Sequence, residues 1–131
     1  MSAPEPVVVE DWTTSKSFSP TMTAHVGAPP ADVLSLVAAA LEGQGFKVRP
    51  EADGLKATYF SWLRLAADGW ERTVLRVGAR PAGDGTDVSI SVAGSSEGGT
   101  SRRKGREALT TAFQDAQRRG LTVTTTPWQK A

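Results

Sequence analysis

The chain has 131 residues, enough to bury a core as one domain without covalent staples. Its 39% apolar and 22% charged content is ordinary for a globular protein, and no apolar run reaches the ~18 residues of a membrane span. The absence of cysteine excludes disulfides, thiolate metal sites and cysteine nucleophiles, and a net charge of +1 means that any attraction for nucleic acid or an anionic membrane must be local.

Residues 1–16 read as a flexible N-terminal arm, ahead of a single α+β domain over 17–127 and a tail over 128–131. The first ten residues carry acids where a signal peptide needs a basic start, which predicts no export and a cytoplasmic location. Val7–Val9, followed by Glu10, Asp11 and Trp12, form either a short edge strand or a segment laid on the body, and Trp128 pins the tail if it docks.

From Phe18 to Val26, Met22, Ala24 and Val26 alternate with Thr21, Thr23 and His25, the pattern of a half-buried strand with Pro20 at an edge. Pro29 and Pro30 open a helix whose Val33, Leu34, Val37, Ala38 and Leu41 share one face, and Gly43 or Gly45 ends it. Phe46 to Arg49 is a short strand. A meander follows. Leu55, Ala57, Tyr59, Ser61, Leu63 and Leu65 point one way, and Lys56, Thr58, Phe60, Trp62 and Arg64 the other.

Parity limits how the next strand pairs, because a one-residue slip exchanges the faces. A three-residue loop Ala67-Asp68-Gly69 keeps parity by setting Leu63 opposite Thr73 and Ser61 opposite Leu75. For the third strand, Thr86 to Ala93, a Gly83-Asp84 loop sets Val77 opposite Ile90 and makes an outer ion pair of Arg80 with Asp87; a loop at Asp84-Gly85 keeps the same parity. Thr100 or Ser101 caps a second helix with Ala108, Leu109, Ala112, Phe113 and Ala116 buried. Gly120 ends it, and Leu121 to Thr126 is a final strand.

The predicted order is β-α-β-β-β-β-α with a possible last strand: an antiparallel sheet with two helices packed on one face. Between Phe18 and Gly120 this order resembles the TATA-binding-protein-like and helix-grip architectures, which small bacterial domains share. The resemblance lies in topology alone, and it implies a fold rather than an activity.

Catalysis finds little support. His25, the single histidine, has no acid near it in sequence, and the carboxylates sit in turns that explain them, so no catalytic residue, metal or cofactor is assigned. The stretch Gly94 to Ser101 follows a strand, is glycine-rich and opens a helix, as phosphate loops do. Thr100, however, stands where such a loop requires lysine, and the sheet around it is antiparallel.

Two surfaces remain. The first is an anion-binding helix N-terminus: Gly99, Thr100 and Ser101 with Arg102, Arg103 and Arg106, where Lys104 adds to a basic cluster that the helix dipole opposes. Its plain alternative is a solvated cluster relieved by Glu97 and Glu107. The second is the outer sheet face, with Phe60 opposite Arg76, Trp62 opposite Val74, Arg64 opposite Arg72, and Trp70 beside the turn. Arginine with aromatics recurs at protein interfaces and where bases stack. Folding of Phe60 and Trp62 into the core, or burial of Trp62 under the arm, would remove that surface.

The expectation is therefore a non-catalytic binding module. Its partner is a protein or a second copy of the chain, with nucleic acid as an alternative and an apolar ligand carrier as a further one.

Overall fold

The computed structural model describes residues 5–12, 20–61, 71–95 and 99–130. Among them the chain order is β1 (Pro20–Val26), α1 (Pro30–Gly43), β2 (Lys47–Glu51), β3 (Gly54–Ser61), β4 (Glu71–Ala82), β5 (Gly85–Ser95), α2 (Gly99–Arg118), β6 (Val123–Thr125) and β7 (Gln129–Lys130). Every strand pairing is antiparallel, and the strands lie in the order β2-β3-β4-β5-β1-β6, with β7 also paired to β1. The protein is α+β, with the expected order of strands and helices.

Both helices pack on one face. On α1, Val33, Val37 and Leu41 are buried, with Leu34 and Ala38 packed against the core at its margin. Its end is set by Gly45, at φ 94°, which lets the Gly45 and Phe46 amides turn back to the carbonyls of Glu42 and Leu41. On α2, Ala108, Leu109, Ala112, Phe113 and Ala116 are all buried, against Leu75, Val77, Val88, Ile90 and Val92 of the sheet. Each large side chain so buried contributes about 1.5–3 kcal/mol of transfer free energy. The helix starts at Gly99, so Ser101 lies inside its first turn rather than at its cap. The Ser101 hydroxyl is buried 2.7 Å from that of Thr73, itself buried on the inner face of β4.

Of residues 1–16, expected as an arm, Glu5–Trp12 is described, and it lies along α2. The Val7 amide donates to Gln117 Oε1 at 2.9 Å, the Val9 amide to Thr110 Oγ1 at 3.0 Å, and Gln114 Nε2 donates to the Val7 carbonyl at 2.9 Å. Val9 and Trp12 are part of the core. Trp128, expected in the tail, docks beside them. Its ring meets that of Trp12 edge-on at 5.6 Å, and its Nε1 donates to the Glu10 carbonyl at 2.8 Å. The described part of the arm, Glu5–Trp12, thus covers the helical side of the molecule and not the outer sheet face.

The β4–β5 pairing is the expected one: Val77 faces Ile90 and Arg80 faces Asp87, with Gly83 at φ 61° in the turn that joins Ala82 to Gly85. The β3–β4 register requires a correction. Tyr59, not Leu63, faces Thr73, and Ala57, not Ser61, faces Leu75. The expected loop Ala67-Asp68-Gly69, together with Leu63 and Leu65, lies outside the described residues. A shift by an even number of residues leaves every side chain on its predicted face, so parity alone could not detect it. What holds the observed register is Gly54 opposite Gly78. A Cβ on Gly54 would run into the carbonyl oxygen of Val77, and the Ala79 amide donates to the Asp53 carbonyl at 2.8 Å.

Candidate functional site

The face of the sheet turned away from the helices can be read row by row across the strands. One row runs Arg49, Lys56, Arg76, Ser91, Thr21, Gln129, and the next toward the β4–β5 turn runs Glu51, Gly54, Gly78, Ser89, Thr23. Beyond it lie Arg80, Asp87, His25 and Thr124. On the other side of the first row come Lys47, Thr58 and Val74, and then Phe60 with Arg72. These side chains share a face because Leu55, Ala57, Leu75, Val77, Ile90 and Met22, their neighbours along the strands, are buried under the helices.

The aromatic–arginine stripe is corrected in its pairings. Phe60 is 37% exposed and faces Arg72, Arg76 faces Lys56, and Val74 faces Thr58. The opposed arginines expected from Arg64 and Arg72 do not occur, because Arg72 has Phe60 as its partner. Trp62, Arg64 and Trp70 lie outside the described residues. The face is instead electropositive toward β2, β3 and β4, and rich in hydroxyls toward β5, β1 and β6. Lys47, Arg49, Lys56, Arg72, Arg76 and Arg80 stand on it against the carboxylates Glu51 and Asp87.

An open cleft of ≈ 930 Å³ lies on the hydroxyl-rich half, lined by Thr23, His25, Asp53, Arg80, Asp87, Ser89, Thr124 and Thr126 among others. Here a second correction arises. His25 does have an orienting acid: its Nδ1 lies 2.9 Å from Asp87 Oδ1, directly across the β1–β5 ladder. Asp87 is thereby engaged on the side away from Arg80, the partner expected from the sequence. The signal was present only as a pairing between segments 62 residues apart. The imidazole lies along the ladder toward Gly85, where a Cβ would come within 2.8 Å of Nε2. The side chain is nonetheless 38% exposed and lines the cleft.

At the start of α2 the predicted basic residues diverge. Arg102 Nε reaches Asp11 Oδ2 of the arm at 3.3 Å. Lys104 Nζ turns to the sheet, 3.3 Å from the Tyr59 hydroxyl and 5.1 Å from its ring centroid, a cation–π arrangement. Arg103 is exposed and Arg106 half-buried. The unfavourable dipole interaction thus has a counter-charge in Asp11, brought in from the arm. Gly99 and Thr100 belong to the first helical turn.

Among the described residues no group of three or more His, Asp or Glu side chains is placed to hold a metal, and no helix is long and apolar enough to cross a membrane. Compared with protein-family models and with curated proteins, the chain matches neither.

Proposed function

We propose that this chain is a small non-catalytic binding module whose working surface is the outer face of its sheet. One observation carries the reading. Both helices, the Glu5–Trp12 segment and Trp128 pack on the other side, and the outer face gathers most of its charge as cations. Lys47, Arg49, Lys56, Arg72, Arg76 and Arg80 against Glu51 and Asp87 give this face an excess of positive charge in a chain whose net charge is +1, which suits an acidic partner. A second copy stacked on the same face would oppose cation to cation, so an acidic partner is preferred to self-association.

The His25–Asp87 pair fits this reading as a cross-strand contact of the β1–β5 ladder. The space between helices and sheet is filled by Leu41, Leu75, Ile90, Leu109 and Phe113, each no more than 1% exposed, which disfavours an apolar ligand carrier.

Heparin chromatography tests the proposal with a control built in. Reversing two outer-face charges, Lys56→Glu with Arg76→Glu, is expected to lower the salt needed for elution much more than Arg118→Glu with Arg119→Glu. The latter pair makes the same change in net charge at the far end of α2, where Asp115 already holds both arginines. Equal shifts for the two variants would mean that net charge, not this face, engages the anion.

A further inference from the structure

The open cleft on the hydroxyl-rich half of the outer face has a glycine in its floor. Gly78 lies well inside β4 and lines the cleft. Glycine inside a strand weakens it, because the backbone has more freedom to lose and no side chain packs. Neither backbone nor packing asks for glycine here. The positive φ values belong to Gly45, Gly83 and Gly120, and a Cβ at Gly78 would meet nothing within 4 Å. Gly54, its cross-strand neighbour, differs, since a Cβ there would strike the Val77 carbonyl. What the missing side chain at Gly78 provides is room above the sheet, where a ligand reaches the backbone closely.

The groups around that floor select the ligand. Ser89 and Thr23 follow Gly78 in its row, and Arg80, Asp87, His25 and Thr124 form the next. Asp53 adjoins them, its carbonyl accepting from the Ala79 amide at 2.8 Å. No ion pair joins Arg80 to Asp53 or Asp87, and the side chains of Arg80, Asp53, Ser89 and Thr124 make no hydrogen bond among the described residues. Opposite charges are thus held apart in one cleft, with hydroxyls beside them.

A guanidinium only donates, a carboxylate only accepts, and a hydroxyl does both. An anion would satisfy Arg80 and be opposed by Asp53 and Asp87, and a cation would meet the reverse. A neutral molecule with several neighbouring hydroxyls matches every group, donating to the carboxylates and accepting from the guanidinium. The cleft, at ≈ 930 Å³, falls within the ~300–1,000 Å³ of small-molecule sites.

We propose that this cleft binds a neutral saccharide whose ring lies over Gly78. Asp53 and the Asp87 oxygen not held by His25 accept from its hydroxyls, Arg80 donates to them, and Ser89 and Thr124 do either. The inference goes beyond the acidic-partner reading, uses the other half of the face, and stands or falls separately from it.

Amide NMR spectra of the full chain, titrated separately with maltose, cellobiose, lactose and chitobiose, test it. At least one of these sugars is expected to shift the amides of Gly78, Ser89 and Thr124 in a saturable way. For that sugar, Arg80→Gln and Asp53→Asn are each expected to weaken binding about tenfold or more, the usual loss for a hydrogen bond to a charged group. Gly78→Ala is expected to weaken binding severalfold while raising the melting temperature, because alanine suits a strand interior better than glycine. A glycine needed only by the fold would lose stability instead. Thermal melts of the other variants separate loss of binding from loss of fold.

No saturable shift with any of these sugars overturns the inference, as does binding that all three substitutions leave unchanged. If glycine betaine shifts the same amides and the sugars do not, the cleft takes a zwitterion and the saccharide is ruled out. Reduced heparin retention in the Lys56→Glu/Arg76→Glu variant, with no sugar bound by the unaltered chain, overturns this inference while the acidic-partner reading stands.

Discussion

Single residues here act through what they permit as much as through what they bond. Gly54 is the clearest case: any side chain meets the Val77 carbonyl, so Gly54→Ala must push β3 away from β4. Overpacking of this kind costs typically 1–3 kcal/mol, and against backbone at least the upper part of that range is expected, about 2–3 kcal/mol. A denaturant titration checks it, and an unchanged midpoint would show that Gly54 does not hold the register. His25 lies at the opposite extreme. Its contact with Asp87 is partly exposed on both sides, and such pairs contribute about 0–1 kcal/mol. Asp87→Asn is therefore expected to change stability by less than about 1 kcal/mol. A much larger loss would mean that the pair supports the sheet in a way its exposure does not suggest.

At the scale of elements, the segment Glu5–Trp12 behaves as a third layer of the helical side rather than as a cover for the sheet. The Val7 and Val9 amides and the Val7 carbonyl bond to side chains of α2, while the Trp12 ring fills space that α2 leaves at Gly105, where a Cβ would meet it at 3.2 Å. Trp12→Ala is expected to cost about 3–5 kcal/mol, the usual range for a buried tryptophan. A chain beginning at Ser15 loses at least as much, since it lacks Val9 and the hydrogen bonds as well. Light scattering on that shortened chain is expected to show the same mass as the full chain, because the described segment Glu5–Trp12 lies along α2 and not over the outer face. Association appearing only on truncation would place the sticky surface beneath the arm, on α2 and Trp128.

For the molecule as a whole, the asymmetry of the two sheet faces links stability to binding. Neutralising one cation of the row with Lys56→Gln removes two like-charge neighbours, Arg49 and Arg76. The fold is then expected to gain about 0.2–1 kcal/mol per relieved pair at low ionic strength. The gain should vanish in about 1 M salt, where the Debye length falls to about 3 Å. Paired denaturant titrations at about 0.01 M and 1 M salt measure both values. No gain at low salt would mean that the row carries no repulsion for a ligand to relieve.

Much of this architecture was legible in the chain. Alternation in Met22–Val26, Leu55–Tyr59, Thr73–Ala79 and Val88–Val92, and helical spacing in Val33–Leu41 and Ala108–Ala116, assign most of the buried set, though not Val9, Trp12, Trp128 or the outer-facing Val74. Periodicity is a local property, and burial on one face selects for it directly. Periodicity states which way a side chain points and not which strand lies beside it. The four-residue difference in the β3–β4 register was therefore invisible, as were the contacts of His25 with Asp87, Arg102 with Asp11 and Trp12 with Trp128. Each of those joins segments far apart in the chain. Which cations share the outer face, and which are neutralised elsewhere, was decided only when the sheet aligned its strands, because charge acts through distance in space rather than along the sequence.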